Sequence, residues 1–255
     1  MNRIKAVFEN TFKEALRQRI LALLALFALL LIIVSVFLEP FALGEAPKIM
    51  RDFGLAAASL FGVLTTVIIG STLIHRDIEK RTIYTVLSKP IRRGEIVFGK
   101  FLGLGGLVAL LVLAMLLIHQ VVLFIYEGNF APHLLIAFPF TIIEVSVILG
   151  ILLLFSSFSS STLTSIMGVI FFIVGHAMPD LKLFAESTKV EALKYIAYAF
   201  YYLLPNLENF NLRSELAYNL PLLADQIVFS VCYGLIYTMF LIYITTLVFE
   251  RREFK

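Results

Sequence analysis

Six stretches of the chain, over 20–38, 53–74, 101–126, 134–155, 162–178 and 226–249, are apolar on every helical face and nearly free of charge. A helix needs about 20 such residues to cross roughly 30 Å of hydrocarbon, so each stretch is predicted to span a membrane. A β-barrel would show short segments of alternating polarity instead. Composition agrees: 60% of the residues are apolar and 15% charged, against roughly 45–50% and about 25% in a soluble domain. Once the six runs are set aside, too little polar chain remains for a separate globular unit. The fold class is therefore an all-α membrane protein with one domain over residues 1–255.

An even number of crossings returns the chain to the side it started from, and lysine and arginine decide which side that is. Residues 1–19 hold Arg3, Lys5, Lys13, Arg17 and Arg19, residues 75–100 hold seven more, and the tail holds Arg251, Arg252 and Lys255. The opposite face carries only Lys48, Arg51, Lys182, Lys189, Lys194 and Arg213. By the positive-inside rule both termini lie in the cytoplasm of a multi-pass cell-membrane protein. The net charge of +3 is too small and too dispersed for a nucleic-acid partner. The first apolar run exceeds the roughly 7–15 residues of a signal-peptide core, so it is read as a span. No repeat relates the first three runs to the last three, which counts against an inverted-repeat carrier.

Three segments do not cross. Over 1–19, Ile4, Val7, Phe8, Thr11, Phe12, Ala15 and Leu16 recur at three- and four-residue spacing between charged residues, which predicts an amphipathic helix in the headgroup plane, contacting membrane lipid. Within 179–225, Val190, Leu193, Ile196, Ala197, Phe200, Tyr201 and Leu204 form one apolar face ended by Pro205. That helix is too short to span and is expected to be interfacial or re-entrant on the outer side. Over 75–100, Asp77 is placed to cap a short cytoplasmic helix bearing Ile78, Thr82, Ile83, Val86 and Leu87, with Pro90 disfavouring its continuation.

Several patterns suggest chemistry but lack its parts. Residues 94–100 fit G-x-x-x-x-G-K, yet Phe101 stands where Ser or Thr would hold magnesium and Glu95 would repel the phosphates. His75, His119, His133 and His176 have no i, i+4 pairing for a metal, and the lone Cys232 excludes a multi-cysteine site. There is no G-x-S-x-G or H-E-x-x-H motif, and the serines around Ser156 to Ser161 read as a turn. No catalytic residue, cofactor or metal ligand is assigned.

The stretch Glu79, Thr82, Val86-Leu87-Ser88, Pro90, Arg92 or Arg93 and Lys100, followed by Phe101-Leu102-Gly103, carries a resemblance. It is similar to the ATP-binding-cassette type 2 permease family, particularly the branch with the permease of the nitrous oxide reductase maturation system, although Arg81 stands where that branch has glycine. The likeness extends over most of the chain. It implies a permease half of a transporter, taken as an exporter. Such a half pairs with a second permease copy or paralogue, and a separate ATPase subunit binds the ATP. The segment 77–88 then corresponds to the coupling helix that enters a cleft of the ATPase. Asp77, Glu79, Arg81, Thr82, Tyr84, Leu87, Pro90, Arg92 and Arg93 are its docking candidates. The transported substrate is unnamed by any pattern. A channel or ion-coupled carrier, and an intramembrane lipid-modifying enzyme using Glu144, are the alternatives.

Glu144 is the one acid inside an apolar run. A charge at mid-bilayer costs on the order of 2.5–3.5 kcal/mol, so its side chain is expected to face protein or a water-filled cavity. His119 is the expected partner. Counted from the loop joining the third and fourth runs, the two differ in depth by three residues, about 4.5 Å. Both are candidates for the translocation path, with a structural hydrogen bond as the other reading.

Overall fold

The computed structural model describes residues 2–16, 20–38, 45–79 and 93–251, and every regular element among them is helical. The predicted amphipathic helix is α1, Asn2–Leu16, and the first apolar run is α2, Ile20–Leu38. Helices α3, Ala46–Glu79, and α4, Arg93–Glu127, outrun the apolar segments at their centres because their charged flanks stay helical. Residues 72–79 contain neither glycine nor proline, so nothing in the sequence stops α3 before Glu79. Asp77 therefore lies inside α3 and does not cap a new helix, a correction to the sequence expectation.

A 3-10 segment, Pro132–Ile136, leads into α5, Ala137–Ser156, and a serine turn leads on to α6, Ser161–His176. The Ser160 hydroxyl caps α6 by accepting from the Leu163 N–H at 3.4 Å. Next come α7, Met178–Ser187, α8, Glu191–Leu203, a 3-10 turn Leu207–Phe210, α9, Arg213–Ala217, and α10, Ala224–Arg251.

Among the described residues, four helical stretches are long and apolar enough to cross a membrane: 46–71 of α3, 94–127 of α4, 132–156 and 224–251. Helices α6 and α7 meet at a 53° bend and make a fifth if the pair is one broken span. Helix α2 matches the expected first run at 19 residues, and its described core over 22–34 is a shorter apolar helix.

Helices α3, α4, α5, α6 and α10 alternate in direction. This gives the bundle a loop end, with residues 128–131 and 177–223, and a terminal end, with α1, the serine turn and the close of α10. At the loop end α4 stops where Gly128 takes φ +74°, a left-handed position that glycine adopts without strain, and its N–H bonds to the Phe124 carbonyl at 2.9 Å. Helices α3 and α5 form the centre, and α10 is the most peripheral span. Its outward face, including Val228, Phe229, Ile236 and Cys232, is exposed from the protein, as a lipid-facing surface requires.

Helix α1 packs on α4 along Gly99, Gly103 and Gly106. A Cβ at Gly99 would lie 2.7 Å from Val7 and one at Gly103 2.8 Å from Thr11, so larger residues would push α1 away. The N-terminal helix thus docks on its own bundle. Conversely, the apolar face of α8 is not buried by protein: Leu193, Ile196 and Phe200 are about half exposed, and only Ala197 is fully covered. The rest of 179–225 is less loop-like than the sequence suggests, since Leu207, Phe210, Leu216 and Ala217 are all buried against the loop end.

Candidate functional site

Glu144 is buried, 3% exposed, and faces protein as expected, but its partner is not His119. A Cβ at Gly62 would meet Val112 of α4 and Val145 of α5, which sets those residues at one level. His119 lies seven residues beyond Val112, about 10.5 Å nearer the loop end. There its Nε2 donates to the Met50 carbonyl at 3.2 Å, and its ring fills the space of the Cβ that Gly54 lacks. The sequence arithmetic fails because the connection 128–136, with its 3-10 segment, starts α5 at a different level from the end of α4.

The residues that meet Glu144 are Ser59 and His176. The Ser59 hydroxyl of α3 donates to Oε2 at 2.9 Å, and His176 Nε2 at the end of α6 contacts Oε1 at 2.9 Å. The other ring nitrogen, Nδ1, faces Glu208 Oε2 at 2.8 Å, from the 3-10 turn of the 179–225 segment. Asn211 donates its amide to Glu208 Oε1 at 2.6 Å, and Arg213 Nε donates to Asn211 Oδ1 at 2.7 Å. A continuous polar chain therefore runs from α3 through α5 and α6 to the loop-end segment. Beneath it lies a cavity of ≈ 20 Å³, lined in part by Ser59, Thr141, Glu144, His176, Phe210 and Asn211. That is room for about one water molecule.

The chemistry of this cluster follows from donor counting. A neutral imidazole donates from one nitrogen only. With a carboxylate oxygen at each nitrogen, the ring is an imidazolium unless one carboxyl carries the proton. Either way one proton is shared along Glu144, His176 and Glu208. The His176 hydrogen bond holds the Glu208 carboxyl below its ordinary value; partial burial opposes this, while Asn211 and Arg213 reinforce it. The His176 nitrogens point to opposite carboxylates, and among the described residues no three His, Cys, Asp or Glu side chains converge as metal ligands.

The loop-end segment is held from its other side by neutral groups on α10. Ser230 donates to the Asn209 carbonyl at 2.7 Å, Tyr233 accepts from the Asn206 N–H at 2.9 Å, and Tyr237 donates to the Leu203 carbonyl at 3.2 Å. Sequence reasoning missed His176, Glu208 and Ser59 because they belong to three different segments. The usable signal was Glu144 itself, which requires partners wherever they come from.

Of the ATPase-docking candidates, Asp77 and Glu79 lie on the last turns of α3 and Arg93 opens α4. Arg81, Thr82, Tyr84, Leu87, Pro90 and Arg92 lie outside the described residues. The roots of the segment are firmly tied. Ser165 donates to the Ser71 hydroxyl at 2.7 Å and Ser161 to the Ser71 carbonyl at 3.2 Å, fastening α3 to α6, while α1 grips the first turns of α4. The phosphate-loop look-alike at 94–100 is continuous α-helix within α4, not a loop. No curated protein matches the chain. The family model described as ABC-2 family transporter protein matches residues 5–254, and the chain, a multi-pass membrane protein, belongs to that family.

Proposed function

We propose that the chain is the membrane-spanning subunit of an ATP-binding-cassette exporter, of the branch resembling the nitrous oxide reductase maturation permease. A separate ATPase subunit binds ATP and docks on 77–93, and a second permease copy or paralogue completes the pore. The family match over nearly the whole chain carries this reading. In this reading the chain crosses six times, with α2 and the α6–α7 pair as spans and both termini cytoplasmic. The charge count supports it, since fifteen of the 21 lysines and arginines fall on the side assigned to the cytoplasm. So do the two longest helices, α3 and α4, of 34 and 35 residues, which bracket the docking segment and extend beyond their apolar centres.

Co-purification with a cognate ATPase tests the function. The complex in lipid nanodiscs is expected to hydrolyse ATP, and the chain alone to show neither hydrolysis nor transport. Transport by the chain alone would point instead to a channel or ion-coupled carrier. Topology has its own test in intact cells. A cysteine at Ser187 is expected to react with an impermeant thiol reagent from outside, one at Ser88 to stay protected, and native Cys232 within α10 to stay silent. Reversed labelling would overturn the orientation.

A further inference from the structure

Beyond the buried Leu207 and Phe210, the loop-end segment has two kinds of polar attachment. Toward α10 it is held by hydroxyls of Ser230, Tyr233 and Tyr237, all neutral. Toward the bundle it is held through one ring, His176, wedged between Glu144 on α5 and Glu208 on the segment itself. Residues 210–213 of the segment form one wall of the small cavity that Glu144 and Thr141 line. His176 is also the last residue of α6, where the chain bends by 53°. At its other end α6 is hydrogen-bonded through Ser161 and Ser165 to Ser71 of α3, the helix that leads into 80–92.

We propose that His176 is a gating residue: bonded at once to Glu144 and Glu208, it clasps residues 204–213 over the cavity at the loop end. Loss of the shared proton to water loosens the segment's polar edge at the cavity, while Leu207 and Phe210 stay buried and the α10 attachments hold. The charged groups acting on His176 are Glu144 from α5 and Glu208 from the 3-10 turn. Helix α3 adds the neutral Ser59 hydroxyl on Glu144, and α9 adds Arg213 beside Glu208. A deprotonated ring donates to only one carboxylate and turns a lone pair toward the other, so the clasp weakens as pH rises. The Glu208 contribution has the opposite sign. Its carboxyl is depressed in the folded state, so the stabilisation it supplies above its unfolded value is lost as pH falls through the folded one. The clasp is thus closed at intermediate pH and opens first toward alkaline pH, where the ring loses its second donor. As an exit gate the clasp rests on the transport reading above; the clasp itself does not depend on an ATPase.

The test uses the full chain in nanodiscs with Cys232→Ser and Thr141→Cys, a buried position in the covered cavity. Its rate of reaction with a hydrophilic methanethiosulfonate is taken as a ratio to that of Ser187→Cys in the same background. Position 187 is exposed, and the ratio removes the pH dependence of an open thiol, while the same ratio in His176→Gln controls for the titration of the buried thiol itself. Between neutral and alkaline pH the ratio is expected to rise roughly tenfold or more, the size of one lost charge-assisted hydrogen bond. His176→Gln, which has no ring proton to lose, is expected to give a high ratio already at neutral pH and a smaller rise with pH than its parent. A flat ratio in the His176 background overturns the proposal whatever the variant does, as does a His176→Gln profile that matches its parent. Because no ATPase is present, a flat ratio refutes the clasp alone, and failed co-purification refutes the transport reading alone.

Discussion

Reversing the charge of Glu79 or Arg81, or truncating Leu87 to alanine, is expected to uncouple ATP hydrolysis from transport while the chain still inserts and accumulates. The expectation rests on how the segment is rooted. Helix α3 is fastened to α6 through Ser71, and α4 is gripped by α1 along its glycine face. A push that reaches residue 79 or 93 therefore acts on four helices together. Coupling requires that the segment contact the ATPase differently in its two states. A buried leucine anchor in such an interface is worth about 2 kcal/mol, so Leu87→Ala is expected to weaken ATPase association roughly 30-fold. The charge reversals act more on recognition, and raised salt should mimic them in part. Affinity capture of the ATPase and substrate-stimulated hydrolysis read the two effects separately. Unchanged capture and transport in all three variants would remove 77–88 from the docking surface.

The span pattern was legible because apolar runs near 20 residues leave a chain few alternatives in a bilayer. Four of the six expected stretches correspond to helices fit to cross, 162–178 became a bent pair, and 20–38 is α2. Helix ends were less legible. The sequence offered Asp77 as a cap, but a possible cap does not stop a helix without a breaker beside it, and α3 runs on to Glu79. The site was half legible: Glu144 announced itself by its burial penalty, but its partner was sought across the wrong loop. Across the serine turn, Glu144 lies twelve residues from Ser156 and His176 fifteen from Ser161, again about 4.5 Å in depth. The two loops gave the same offset, and only the second is tight enough for the count to hold. Glu208 was beyond this reasoning, since nothing local in 179–225 indicates that residues 207–217 fold back against the bundle.

Glu144→Ala is expected to be strongly destabilising, and Glu144→Gln nearly neutral. Glu144 stands in the middle of the 25-residue stretch 132–156, and its hydrogen-bond partners are Ser59 and His176. Alanine leaves the His176 Nε2 donor and the Ser59 hydroxyl without their acceptor, and breaking a buried ionic pair from one side costs up to about 3–5 kcal/mol. Glutamine keeps both contacts. Its carbonyl accepts from His176, and its amide donates to Ser59 once that hydroxyl turns to accept. The loss is then the difference between a charge-assisted and a neutral hydrogen bond, about 1 kcal/mol, against which removing a mid-membrane charge is favourable. Thermal unfolding of the purified chain in detergent measures both variants. A double-mutant cycle with His176→Ala isolates the pair, and the two truncations together are expected to cost clearly less than the sum of the singles. Transport then separates the remaining roles. A folded Glu144→Gln that transports normally makes Glu144 a structural anchor of the clasp, while a folded variant that fails to transport places its charge on the substrate path.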